Sequence, residues 1–107
     1  MNQSHFTYEA DGHTLIVHLP EELDHHNCSG LKYETDLILS ENYIRRIIFD
    51  FSSTRFMDSS GIGLVMGRYK LMNTFGGAVT VANTPKPLQK VMRLAGLDRL
   101  ARIKTEE

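Results

Sequence analysis

The segment Phe56-Met57-Asp58-Ser59-Ser60-Gly61 sets two hydroxyls between an acid and a glycine, directly ahead of a stretch with helical apolar spacing. A helix N-terminus presents unpaired N–H groups and a partial positive charge. Two chemistries are open to serines there. One is structural: a capping side chain accepts from the free backbone N–H groups. The other is phosphorylation, which adds about −1.5 to −2 charges that the helix end can meet without melting the fold. Residues 59–97 contain no acid at all, which makes that placement more tolerant still.

The other candidate chemistries fail on spacing. Five histidines suggest a metal, but no His-x-x-x-His pair exists. His25 and His26 are adjacent, so on a helix they point about 100° apart. His13 and His18 are separated by an odd offset and fall on opposite sides of a strand. No metal site is expected. Gly61-Ile62-Gly63-Leu64-Val65-Met66-Gly67 has G-x-G-x-x-x-G spacing, and the next acid is Asp98, so it does not make a dinucleotide fingerprint. These glycines instead predict a smooth helix stripe that packs closely on a sheet. There is no phosphate-binding G-x-x-x-x-G-K-[ST] loop, and no G-x-S-x-G elbow to make Ser59 or Ser60 a hydrolase nucleophile. The expectation is no catalysis and no cofactor. The single cysteine, Cys28, excludes an internal disulfide and a multi-thiolate zinc site.

The elements that must position these residues follow from periodicity. Phe6–Glu9 and Thr14–Leu19 predict a β-hairpin around Asp11-Gly12, with Leu15, Val17 and Leu19 on one face and Pro20 ending the second strand. Asp24 is a candidate N-cap for a helix from His25 to about Ser40. Its stripe is Cys28, Leu31, Thr35 and Ile38, widened by Leu37 and Leu39, with Lys32, Glu34 and Asp36 facing water. Arg45–Phe51 predicts a buried central strand, and Ser52–Arg55 a turn. Asp58 or Ser59 then caps a helix to about Thr74, with Ile62, Val65, Tyr69 and Met72 inward and Gly76-Gly77 closing it. Ala78–Ala82 predicts a strand. Pro85 or Pro87 starts a third helix using Leu88, Val91, Met92 and Ala95, ended by Gly96. Leu100–Lys104 predicts a last strand. This order predicts an α/β fold, a mixed sheet of four to five strands with helices packed on it.

With 107 residues, 41% hydrophobic and 23% charged, the chain has the length and composition of one globular domain, taken as residues 1–107. Its net charge of −1 argues against a strongly basic nucleic-acid binder. That value hides a split. Residues 1–58 hold ten acids against four bases, a net of −6, whereas residues 59–97 hold five bases and no acid, a net of +5. The two sets either interleave and cancel in space or form a surface of two signs that steers a partner. Met1–Tyr8 has no basic n-region or apolar h-region, and the longest apolar-plus-glycine run, residues 61–67, is far below a membrane span. No membrane association and a cytoplasmic location are expected.

Phe56-Met57-Asp58-Ser59-Ser60-Gly61-Ile62-Gly63, followed by Gly67-Arg68-Tyr69-Lys70, resembles the signature of anti-sigma-factor antagonists, which are single STAS domains. Glu22-Leu23-Asp24-His25-His26 is similar to a second block of that family and points to its sporulation branch. Gly76-Gly77, the Pro85 loop and Leu94-Ala95-Gly96-Leu97 extend the resemblance over roughly residues 5–103. Where the family usually has a glycine before Glu-Leu-Asp, this chain has Glu21. The resemblance implies a partner-switching cycle. The antagonist binds an anti-sigma factor that is also a serine kinase, with its bound nucleotide, and thereby frees a sigma factor. The kinase phosphorylates Ser59 and the complex dissociates; a PP2C-type phosphatase resets it. Partner contacts would come from Glu22, Asp24, His25, Asp58, Ser59, Ser60 and Gly61, in a chain that is monomeric when free. The alternative is a STAS scaffold or sensor subunit of a stress-signalling complex.

Overall fold

A computed structural model describes residues 6–97 and the strand at 102–105. The first strands, β1 (Thr7–Asp11) and β2 (Thr14–His18), form an antiparallel hairpin. Its two-residue turn is Gly12-His13, one position later than the sequence suggests. Gly12 takes φ +63°, the left-handed backbone that a hairpin turn asks of its first central residue. His13 therefore lies in the turn rather than on a strand face, and its Nδ1 sits 3.0 Å from the Tyr43 carbonyl oxygen.

A two-residue strand, β3 (Glu22–Leu23), precedes helix α1 (His25–Glu41). Next come β4 (Arg46–Asp50), a second short strand β5 (Phe56–Met57) and helix α2 (Ser59–Thr74). Strand β6 (Ala78–Thr84), helix α3 (Lys86–Leu94) and strand β7 (Arg102–Thr105) complete the order. The main sheet runs β1-β2-β4-β6-β7, parallel except for the hairpin. The five strands meet the upper end of the expected count. Of the predicted last strand, residues 102–104 fall in β7 and residues 100–101 lie outside the described residues.

Register explains how the core is built. Leu15, Ile47 and Val79 align across three strands, as do Val17, Phe49 and Val81, and all six are buried. The alternate positions Ile16, His18, Ile48 and Asp50 are only half-buried. One sheet face is therefore covered, by α1 and α2 lying side by side, and the other is more open. From α1 the core receives Cys28, Leu31, Thr35 and Ile38, as the spacing predicts, but Leu37 points outward. Asp36, expected to face water, also pairs with Arg68 of α2. In α2, Val65 and Met72 are buried while Ile62 and Tyr69 pack at the core margin. In α3, Leu88 and Met92 are buried, but Val91 faces solvent.

The glycine stripe of α2 requires a correction. A Cβ built on Gly63 or Gly67 meets nothing within 4 Å, so neither glycine serves close packing on the sheet. The tight position is Gly61, where a Cβ would lie 2.5 Å from Met57 Cγ and 2.9 Å from Leu23 Cδ2.

Candidate functional site at the start of α2

The site is assembled by the short parallel pair β3–β5, an element that periodicity in so few residues does not reveal. Glu22 aligns with Phe56 and Leu23 with Met57. Glu21 holds the incoming chain, its carbonyl accepting from the N–H groups of Arg55 (2.8 Å) and Phe56 (3.2 Å). Thr54 Oγ1 donates to the Pro20 carbonyl at 2.8 Å. Two segments far apart in sequence, Glu22–His25 and Phe56–Gly61, thereby meet at the N-terminal ends of α1 and α2.

Both helices are capped by aspartates. Asp24 accepts from the Asn27 N–H at 2.9 Å, which bears out its role as N-cap. Asp58, rather than Ser59, caps α2, accepting from the Ser60 N–H at 2.8 Å through Oδ1. Its Oδ2 accepts from the His25 N–H at 3.2 Å, so a single carboxylate joins the two helix starts. With Asp58 in the cap, neither serine hydroxyl is needed there. Ser59 is exposed at the first helical position. Ser60 is half-buried, its Oγ 3.5 Å from His25 Nδ1. The two adjacent hydroxyls thus differ in access: Ser59 faces solvent and Ser60 turns toward α1.

Among the other expected contact residues, Glu22 and His25 are exposed and Asp24 and Asp58 partly so. Gly61, by contrast, is buried. Its place is in packing, since any side chain would collide with Met57 and Leu23 beneath the helix start. Phe56, absent from the expected contacts, belongs with this surface: it is 52% exposed in the residue pair that registers with Glu22. The alternation of a two-residue strand carries too little information to reveal an outward phenylalanine.

A model described as the STAS domain matches residues 5–107. The chain belongs to the STAS domain family. An anti-sigma F factor antagonist of Paenibacillus polymyxa is 34% identical over 93 residues, covering 87% of this chain and 80% of the relative. Among solved structures, the anti-sigma factor antagonist SpoIIAA in its unphosphorylated form superimposes with a TM-score of 0.83 at 30% identity, over 94% of this chain and 89% of the other. The Bacillus cell fate determinant SpoIIAA in its phosphorylated form gives a TM-score of 0.76 at 30% identity, over 94% and 92%.

Two further features of this STAS domain escaped periodicity. Arg68 of α2 is 7% exposed, donates from Nη1 to Thr35 Oγ1 at 3.4 Å and pairs with Asp36. The Arg68 hydrogen bond is the main reason the Asp36 carboxyl is held below its ordinary range. Among the described residues this is the one ion pair joining the acidic and basic parts of the chain. On the open sheet face, His18 lies between two carboxylates, with Glu9 Oε2 2.8 Å from Nε2 and Asp50 Oδ2 2.7 Å from Nδ1. Asp50 Oδ1 also accepts from the Ser52 N–H at 3.0 Å and from Asn83 Nδ2 at 2.9 Å. No helix among the described residues is long and apolar enough to cross a membrane.

Proposed function

We propose that this STAS domain, residues 1–107 acting as one unit, is an anti-sigma-factor antagonist without catalysis of its own. The observation that carries the reading is the meeting of Glu22–His25 with Asp58–Ser60, which leaves Ser59 as the accessible hydroxyl of the pair. The unphosphorylated surface binds an anti-sigma factor serine kinase with its nucleotide, and a sigma factor is released. Phosphorylation of Ser59 ends the contact, and a PP2C-type phosphatase restores it. The likeness to SpoIIAA, solved in unphosphorylated and phosphorylated forms, supports this reading. In it the domain works in the cytoplasm and is monomeric when free.

Electrostatics supplies the off-switch. Ser59 follows the Asp58 cap, whose carboxylate reaches the segment that carries Glu22 and Asp24, and a phosphate adds about −1.5 to −2 charges to that end of the domain. Like-charge juxtaposition against an acidic partner face, nucleotide phosphates included, costs several kcal/mol, and each ~1.4 kcal/mol is tenfold in affinity. A loss of affinity of about 10² or more is expected. Intact-mass and peptide mass spectrometry after incubation with the kinase and ATP test the site. One phosphate is expected on Ser59, none on Ser59→Ala, and weakened binding by Ser59→Asp. Modification of Ser60 alone would overturn the assignment.

A further inference from the structure

His18, at the end of β2 on the open sheet face, meets carboxylates from two different strands on its two ring nitrogens. Glu9 Oε2 of β1 lies 2.8 Å from Nε2, and Asp50 Oδ2 of β4 lies 2.7 Å from Nδ1. Register dictates the arrangement. His18 pairs with Asp50 in the parallel ladder, while Glu9 stands opposite Ile16, one diagonal step away. An imidazolium has two N–H donors and satisfies both acceptors. A neutral imidazole has one, and its other nitrogen then turns a lone pair toward an anion. The geometry is therefore that of the protonated ring. The two carboxylates are not held equally. The Asp50 side chain is 15% exposed, and its Oδ1 is fixed by the Ser52 N–H and by Asn83 Nδ2. The Glu9 side chain is 62% exposed and has no other hydrogen-bond partner among the described residues.

We infer that His18 is a pH-sensitive clasp for the N-terminal edge strand: protonated, it ties β1 to β4 across β2, and neutral, it keeps Asp50 and lets Glu9 go. β1 is an element for which such a tie matters. All five of its residues are exposed, it stands at the edge of the sheet, and Glu9–His18 is the one side-chain hydrogen bond it makes among the described residues. Once Glu9 is released, the backbone ladder to β2 remains to hold it. The sign follows from the groups that face the ring. Among the described residues these are Glu9 from β1 and Asp50 from β4, with the uncharged Thr7 directly opposite on β1. The two carboxylates, Glu9 first, raise His18 above its ordinary 6.5 against the opposing effect of burial. The clasp is thus mostly closed near that pH and opens as pH rises through the folded value. His13, the other histidine of the hairpin, meets a carbonyl oxygen, which a neutral ring can still bond. Neither Glu9, His18 nor Asp50 belongs to the surface formed by Glu22–His25 and Asp58–Ser60, so the clasp stands or falls independently of the partner-switching reading.

The test is NMR on the ¹⁵N,¹³C-labelled full chain from about pH 5.5 to about pH 9, following the His18 ring resonances and amide exchange corrected for its intrinsic pH dependence. Protection of the β1 amides is expected to fall about two- to fivefold, the scale of a partly exposed ion pair, with the midpoint of the His18 titration. The Ser52 amide, bonded to Asp50, should keep its protection. Glu9→Gln removes one anion at an exposed position, so His18 should titrate at lower pH and the step in β1 should vanish. His18→Gln should also abolish the step, and His13→Gln should leave it in place; Glu9→Gln serves if His18→Gln does not fold. The inference is overturned if β1 protection shows no step at the His18 midpoint, or if Glu9→Gln or His18→Gln keeps the step. It also fails if Ser52 loses protection together with β1, which would make Asp50 the carboxylate released.

Discussion

Three glycines within one helix make opposite predictions for the same substitution. Gly63 and Gly67 lie in the interior of α2, without the left-handed backbone that would favour glycine, and an added Cβ meets nothing within 4 Å. Alanine there gains only what glycine forfeits in helix propensity, about 0.8–1 kcal/mol per site. For a domain of this size each ~1 kcal/mol raises the Tm by roughly 4–8 °C. Gly61→Ala drives a methyl to 2.5 Å from Met57 Cγ and 2.9 Å from Leu23 Cδ2, with Leu23 fully buried. Overpacking of that kind costs about 1–3 kcal/mol, and the propensity gain recovers about 1, leaving a net loss of up to about 2 kcal/mol. Urea and thermal unfolding of the three single variants and of Gly63→Ala/Gly67→Ala would measure this, with the double variant about 1.5–2 kcal/mol above the parent. Destabilisation by alanine at residue 63 or 67 would refute the free space beside those two glycines. A Gly61→Ala variant stabilised as much as those at 63 and 67 would refute the claim that glycine is required where α2 begins.

The remaining predictions concern charge. His18 has a raised pKa, chiefly from its Glu9 hydrogen bond and then from Asp50, with burial opposing. For Asp50 burial alone raises the pKa, but hydrogen bonds from Asn83, His18 and Ser52 together outweigh it and the net direction is down. The histidine's contribution to stability is complete below its ordinary value of 6.5 and disappears as pH rises through the higher folded value. The aspartate's contribution is present above its ordinary 3.8 and disappears as pH falls through the lower folded value. The urea-midpoint gap between parent and His18→Gln should therefore be widest near pH 5 to 6 and narrow in alkali; a gap independent of pH would refute the ion-pair account. Asp58→Ala removes the cap of α2 and the bond to the His25 N–H, and should cost about 1–2 kcal/mol in urea unfolding, most of it restored by Asp58→Ser. Phosphorylated Ser59 gains about 0.3–1 kcal/mol from the helix end and loses a similar amount to the neighbouring Asp58, so thermal unfolding should move by less than roughly 5 °C.

The fold was legible wherever one periodicity ran long enough. The hairpin, α1 and its Asp24 cap, β4, α2 and α3 each repeat an apolar position several times, and a repeated position resists a single misleading residue. The two-residue strands β3 and β5 repeat nothing. They exist because Leu23 and Met57 both bury against the start of α2, and Gly61 lets that helix come down on them. Reading the glycines as one stripe failed for a related reason. Residues 63 and 67 lie on a different side of the helix from residue 61, and spacing alone does not say which side faces a neighbour.

The site divides along the same line. Asp58, Ser59 and Ser60 were legible as a group because cap chemistry is local, but two adjacent hydroxyls at a helix start are equivalent on paper. What separates them is Asp58: one oxygen takes the Ser60 N–H and the other the His25 N–H from α1, leaving Ser60 turned toward His25 and Ser59 in solvent. That assignment depends on a contact across 33 positions, which no local pattern contains. Arg68 and His18 are hidden for the same reason. A basic residue on a helix and a histidine at a strand end both read as solvent-facing until Asp36, in one case, and Glu9 with Asp50, in the other, arrive from another element to meet them. The charge split meets the same limit. Among the described residues only Arg68–Asp36 spans the acidic and basic parts, so pairing across the halves is not general, and Asp58 before Ser59 and Asp24 before α1 both have their oxygens turned to helix N–H groups. Those carboxylates belong to the fold. A phosphate on Ser59 would be a negative charge there that no cap requires, which is why it would alter what the surface binds while leaving the domain intact.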